Sequence, residues 1–133
     1  MALKRKMDNN TEIRDFLKAI RRALPNAAAK TDKIMHERGY ESEEDSEHLW
    51  VEALADVTNA HIQQRNQKEV KTQLRFFSEQ FDRGPDAVKN CIDVSYVENL
   101  MWNLPPEDKK WVWPQIPENL QHLYIAIWGL PRF

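Results

Sequence analysis

The chain has 133 residues, a length that fits one domain (1–133) with a single core, because folding at this size hides roughly two-thirds of the surface of the unfolded chain. Cys91 is the one cysteine, which excludes an intrachain disulfide, and no stretch approaches the ~20 apolar residues of a membrane span or the apolar run of a secretory signal. A cytoplasmic protein without membrane contact is the expectation. The formal net charge of −2 hides a segregation: residues 1–40 carry ten Lys or Arg against five Asp or Glu, while residues 41–52 carry six acids and no Lys or Arg. A dense anionic segment steers cationic partners, with an effect that weakens as salt rises.

Taken in order, residues 1–8 read as a frayed basic lead, and the first helix starts near Asn9 or Asn10, where Asn9 and Glu12 have capping-box spacing. Ile13, Phe16, Leu17, Ile20 and Leu24 form its apolar stripe, and Pro25 stops it. A second helix runs from a cap at Asn26 through Ala27–Ala29, with Ile34 and Met35 as apolar contacts and Gly39 as the C-terminal signal. Residues 41–47 are an acidic loop, too polar for core. Ser46 then caps a third helix whose buried side is Leu49, Trp50, Ala53, Leu54 and Val57.

A fourth helix begins near Lys68, with Val70, Leu74, Phe76, Phe77 and Phe81 on one side. Gly84 and Pro85 close it and open the next. From Pro85 to Trp102 the apolar residues Val88, Cys91, Ile92, Val94, Tyr96, Val97, Leu100 and Met101 occupy most sides of a helix, so this segment is expected at the centre with the others around it. After a proline-punctuated turn and short helix, Pro117 starts a last helix with Leu120, Leu123, Tyr124 and Ile127 in line, ended by Gly129 and Pro131. The fold class that follows is all-α: a compact bundle of about six helices, open to description as stacked antiparallel hairpins.

Catalytic chemistry has little to stand on. The chain lacks a phosphate-binding glycine loop, paired-cysteine metal spacing, a zinc-protease helix and a serine elbow, so no enzyme, no cofactor and no metal are expected. Glu44, His48, Glu52 and Asp56 recur every four residues on one helix face, but a metal site there needs ligands from a second helix, and a solvated acidic face is the simpler reading. A nucleic-acid-binding regulator or adaptor is the alternative, using Lys4, Arg5, Lys6, Arg14, Lys18, Arg21 and Arg22. It ranks below protein binding because stacking aromatics and a helix-turn-helix turn are missing. Of the tryptophans, Trp102 and Trp128 are read as core and Trp111 and Trp113 as partly exposed beside the prolines. Trp50 fits the core stripe of its helix and also directly follows the acidic run.

The run from Ala87 to Leu100, with Ile92-Asp93-Val94-Ser95-Tyr96-Val97-Glu98-Asn99-Leu100 at its heart, and the later Ile116-Pro117-Glu118-Asn119-Leu120, resembles the signature of a family of short bacterial helical proteins. That signature has an aliphatic-Val-Ser-aromatic-Leu-Glu-Asn-Leu run before a Pro-x-x-Leu helix, and Val97 here replaces its leucine. Such proteins are similar to immunity proteins of toxin systems, including contact-dependent growth inhibition, so the resemblance implies a cytoplasmic partner-binding role and carries no catalytic residues. Glu98 and Asn99 are expected to cap or bridge helix ends. The functional expectation is therefore neutralisation of a cognate toxin. Glu41, Glu43, Glu44, Asp45, Glu47 and Glu52 would attract a basic toxin surface and Trp50 would add contact area; a homodimer is a further reading of the tryptophans.

Overall fold

The computed structural model describes residues 2–40 and 46–133, with side chains from Thr11 onward. Its order is α1 (Ala2–Ala23), α2 (Pro25–Glu37), α3 (Glu47–Gln63), α4 (Gln67–Arg83), α5 (Asp86–Cys91), α6 (Pro106–Val112) and α7 (Glu118–Trp128). The fold is all-α, with no strand among the described residues. No helix among them is long and apolar enough to cross a membrane. Helix α1 starts at Ala2 and not near Asn9, because residues 2–8 contain strong helix formers and neither Gly nor Pro, so nothing interrupts the ladder upstream of the capping box.

Local punctuation sets most boundaries. Gly39 ends α2 with φ 91°, its N–H donating to His36 O and the Tyr40 N–H to Met35 O, the paired bonds of a left-handed helix terminus. Helix α3 ends in the same way on Arg65, at φ 57°. This arginine compensates for its strained backbone with its side chain: Nη1 donates to Ile62 O at 2.9 Å and to Asp108 Oδ1 at 2.7 Å, and the guanidinium lies 5.0 Å from the Trp111 ring centroid. The α3 terminus is thereby tied to α6. Asn66 caps α4 by accepting from the Glu69 N–H.

One continuous core joins the helices, and the segment after Pro85 passes through it as its composition requires. Val88, Cys91, Ile92, Ser95, Tyr96, Val97, Leu100 and Met101 are all buried. The segment is nevertheless not one regular helix. After α5 it widens into a π-helical turn at Ile92–Tyr96, tightens to a 3-10 turn at Val97–Asn99 and leaves the helix at Leu100, where ψ is 136°. Phe77 stacks on Tyr96 with centroids 3.7 Å apart, and Phe16 and Phe76 meet Phe77 edge-on. The Tyr96 hydroxyl is 2.8 Å from Thr58 Oγ1, which is 2.7 Å from Gln73 Oε1, so the phenol is partnered in the interior and burial pushes its pKa up. Burial also pushes the Cys91 thiol to about 12, which leaves it a packed, unreactive hydrophobe at neutral pH.

His61, near the end of α3, is 5% exposed, and its Nδ1 has no hydrogen-bond partner among the described residues. Loss of hydration, then the nearby Lys30 charge, lowers its pKa, against a smaller opposing pull from Glu69. The folded state therefore holds the neutral ring while the unfolded chain takes a proton near pH 6.5. Stability from this group is complete above that pH and declines as pH falls towards the folded pKa. Urea midpoints measured at pH 7.5 and 5.5 should drop for the native chain, and the drop should shrink in His61→Leu; an unchanged drop would assign the acid sensitivity elsewhere.

Candidate functional site

Among the described residues, the large apolar side chains that remain exposed are Tyr40, Leu49, Val94, Trp102, Trp128, Leu130 and Phe133. Five of these seven line three connected clefts, a concentration that isolated surface apolar residues do not show. The first, of about 130 Å³, lies between Arg38, Tyr40, Leu49, Glu52, Asp56 and Asn99. It shares Glu52 and Asn99 with a second, of about 270 Å³, completed by Glu98, Trp102 and Trp128. The tryptophans also wall the third, of about 480 Å³, which continues past Lys109 and Tyr124 to Leu130 and Arg132. The groove thus begins at Tyr40 and Leu49 and ends at the C-terminal segment.

Trp102 and Trp128 are 56% and 48% exposed, which corrects the expectation that they are core. The cause is local. Met101 and Asn103 on either side of Trp102 have φ of 63° and 60°, a left-handed conformation that disfavours side chains as bulky as methionine by roughly 1–2 kcal/mol. Asn59 of α3 holds this turn: its Oδ1 accepts from the Met101 N–H at 2.8 Å and its Nδ2 donates to Asn99 O at 3.0 Å. Met101 is drawn into the core, 1% exposed, and Trp102 is turned outward. Its ring meets that of Trp128 at 5.7 Å with a 37° tilt, and the Trp128 indole N–H donates to Glu98 O at 3.0 Å.

Glu98, Asn99 and Leu100, from the run singled out in sequence, line this groove. Asn99 Nδ2 donates to Ser95 O at 2.8 Å and approaches Glu52 Oε1 of α3 at 3.5 Å, and the Glu98 backbone oxygen accepts from the Trp128 indole. Asn119, in the second stretch of the signature, joins α7 to α4 through Ser78 and Asp82. Ser95 is buried and its hydroxyl lies 2.8 Å from His48 Nδ1, linking α3 to the π turn.

The residues singled out from sequence separate into three groups. Glu41, Glu43, Glu44 and Asp45 lie outside the described residues. Glu47 starts α3 and pairs at 3.8 Å with Arg14, and Glu52 lies in the groove. Trp50, by contrast, is 1% exposed, which removes it as a surface anchor. Its indole N–H donates to Asp32 Oδ1 at 2.9 Å and the Arg21 guanidinium lies 5.0 Å from its ring centroid. Arg21 also forms two 2.8 Å bonds to Asp32, and these hold the Asp32 carboxyl below its usual pKa. The tryptophans that do face solvent were legible only as core, since no residue-spacing rule marks a left-handed turn at Met101.

The four-apart acidic and histidine face does not converge. Asp56 bonds Arg38 at 2.7 Å, Glu52 faces Asn99 and His48 faces Ser95, and no group of three His, Cys, Asp or Glu among the described residues is arranged to hold a metal ion. No curated protein and no solved structure matches the chain. The profile of a family described as a domain of unknown function (DUF7674) matches residues 17–129, most of the chain, and the chain belongs to that family.

Proposed function

We propose that this chain is a non-enzymatic, cytoplasmic immunity protein that binds and neutralises a cognate toxin domain through the groove from Tyr40 to Leu130. The observation that carries the binding part of this reading is the pair of exposed tryptophans at the centre of a continuous groove, Trp102 turned outward by a strained turn and Trp128 resting on it at the end of α7. The turn buries Met101, but leaving two indoles in water adds nothing to the stability of the chain alone. The pair makes sense as contact area for a partner, since tryptophan is the side chain most enriched among residues that dominate interface energy. The toxin part rests on the resemblance of the Ala87–Leu100 run to the signature of short bacterial helical proteins that are themselves similar to immunity proteins, and on the six acids that residues 41–52 carry in sequence, which suit a basic surface such as that of a nucleic-acid-cutting domain.

The basic-helix alternative is supported less, because Arg14 pairs with Glu47 and Arg21 is bound to Asp32 beneath Trp50's ring system. The test is genetic and biochemical together. Tagged chain should capture one stoichiometric partner from its producing cells, and expression of that partner alone should arrest growth. Co-expression of this chain should restore growth, and a Trp102→Ala, Trp128→Ala double variant, still helical by circular dichroism, should not. Truncating such anchors lowers affinity by about 2 kcal/mol or more each, roughly 30-fold. A partner without toxicity, or rescue by the double variant as complete as by the native chain, would overturn the reading.

A further inference from the structure

The tryptophan pair separates two clefts of opposite character. On one side the walls carry Glu52 and Glu98 with Asn99 between them; on the other stand Lys109 and Arg132. No ion pair reaches Glu52 or Glu98 among the described residues, whereas Asp56, Asp32 and Asp108 each have an arginine. The acidic cleft, about 270 Å³, is of side-chain size and is too small for a folded element. Two tryptophans and two glutamates line one hollow, and indole π systems with carboxylates nearby are the combination that attracts an organic cation.

We infer that this cleft takes one arginine side chain of a protein partner. Arginine fits better than lysine because its planar guanidinium lies flat against an indole while its fork of N–H groups reaches carboxylate oxygens, whereas an ammonium is a more strongly hydrated point charge. The tilt of 37° between the rings and the hydrogen bond from the Trp128 indole to Glu98 O fix the wall on which the guanidinium lies. Lys109 and Arg132 exclude the same cation from the cleft behind, so the pair selects a side as well as a charge. The inference rests on the docking role of the groove and adds to it the chemistry of the central anchor.

The test uses the full chain and needs no partner. N-acetyl-arginine methylamide is titrated into uniformly 15N-labelled protein and the indole N–H signals are followed, with those of Trp102 and Trp128 assigned from single Trp→Leu variants. The expected result is a saturable shift of these two signals with half-saturation in the millimolar range, about 4 kcal/mol or less of binding. N-acetyl-citrulline methylamide, which has the same shape without the charge, should produce at least several-fold less. Glu98→Gln, at an exposed side chain, and Glu52→Gln should each weaken the arginine response several-fold. An equal response to citrulline, a response undiminished in the double Glu→Gln variant, or shifts confined to other indoles would overturn the inference. Those outcomes leave partner docking to its own test: loss of a partner by the tryptophan variants with no arginine response would retain the groove and discard the cation site.

Discussion

Phe77→Ala should lower the unfolding free energy by about 3–5 kcal/mol, the range for emptying a phenylalanine site that cannot collapse. Phe77 is completely buried and touches three aromatic rings from three different parts of the chain: Phe16 of α1, Phe76 beside it on α4, and Tyr96 in the π turn. None of these can move in to fill the void without breaking another contact. Tyr96 in particular is fixed at its far end by Thr58. With total stabilities of small domains at about 5–15 kcal/mol, a loss of this size consumes a large share of the whole. Urea unfolding followed by far-ultraviolet circular dichroism measures it, and Phe77→Leu, which keeps most of the volume, should show a smaller loss. A change under about 1 kcal/mol for alanine would mean that the aromatic group repacks and is not the rigid junction described.

Asn59→Ala should cost about 2–4 kcal/mol although it removes only one polar side chain. Two hydrogen bonds disappear, and the buried Met101 N–H is left without a partner, which is more expensive than the bond itself was worth. The left-handed strain of Met101 is then unopposed. The signature of this mechanism is local: hydrogen exchange at Met101 and Trp102 should rise by more than exchange in α1 or α4, and the indole signals of Trp102 and Trp128 should move even where the chain stays folded. A loss below about 0.5 kcal/mol with unchanged exchange would show that core packing of Met101 alone holds the turn.

The elements that could be read from sequence are those whose causes are local. Apolar spacing located α1, α3, α4 and α7, and Gly39, Gly84–Pro85 and Gly129 located ends, because a helix boundary needs only backbone preference within a few residues. The burial of 85–102 was likewise legible from its all-round apolar composition. Its shape was not: the left-handed turn that ends it is held by Asn59, some 40 residues away in sequence, which takes the Asn99 carbonyl and the Met101 N–H. The same distant contact decides which tryptophans meet solvent. Both Trp50 and Trp102 read as core in sequence, yet Trp50 is buried against Asp32 and Arg21 while Trp102 projects from a turn. Among the described candidate residues, Glu52 is the one that sequence assigned to a binding surface and that lies in the groove.

The paired left-handed residues around Trp102 also affect timing. An aromatic whose backbone is already fixed by Asn59 and whose ring rests on Trp128 would have little freedom left to surrender to a partner of the proposed kind. The ordering cost of such an encounter would be met in folding. A complex formed on such a surface gains affinity through slower dissociation without waiting for a loop to rearrange, and its strength becomes coupled to the stability of α3, since whatever loosens Asn59 restores the freedom that the fold had removed.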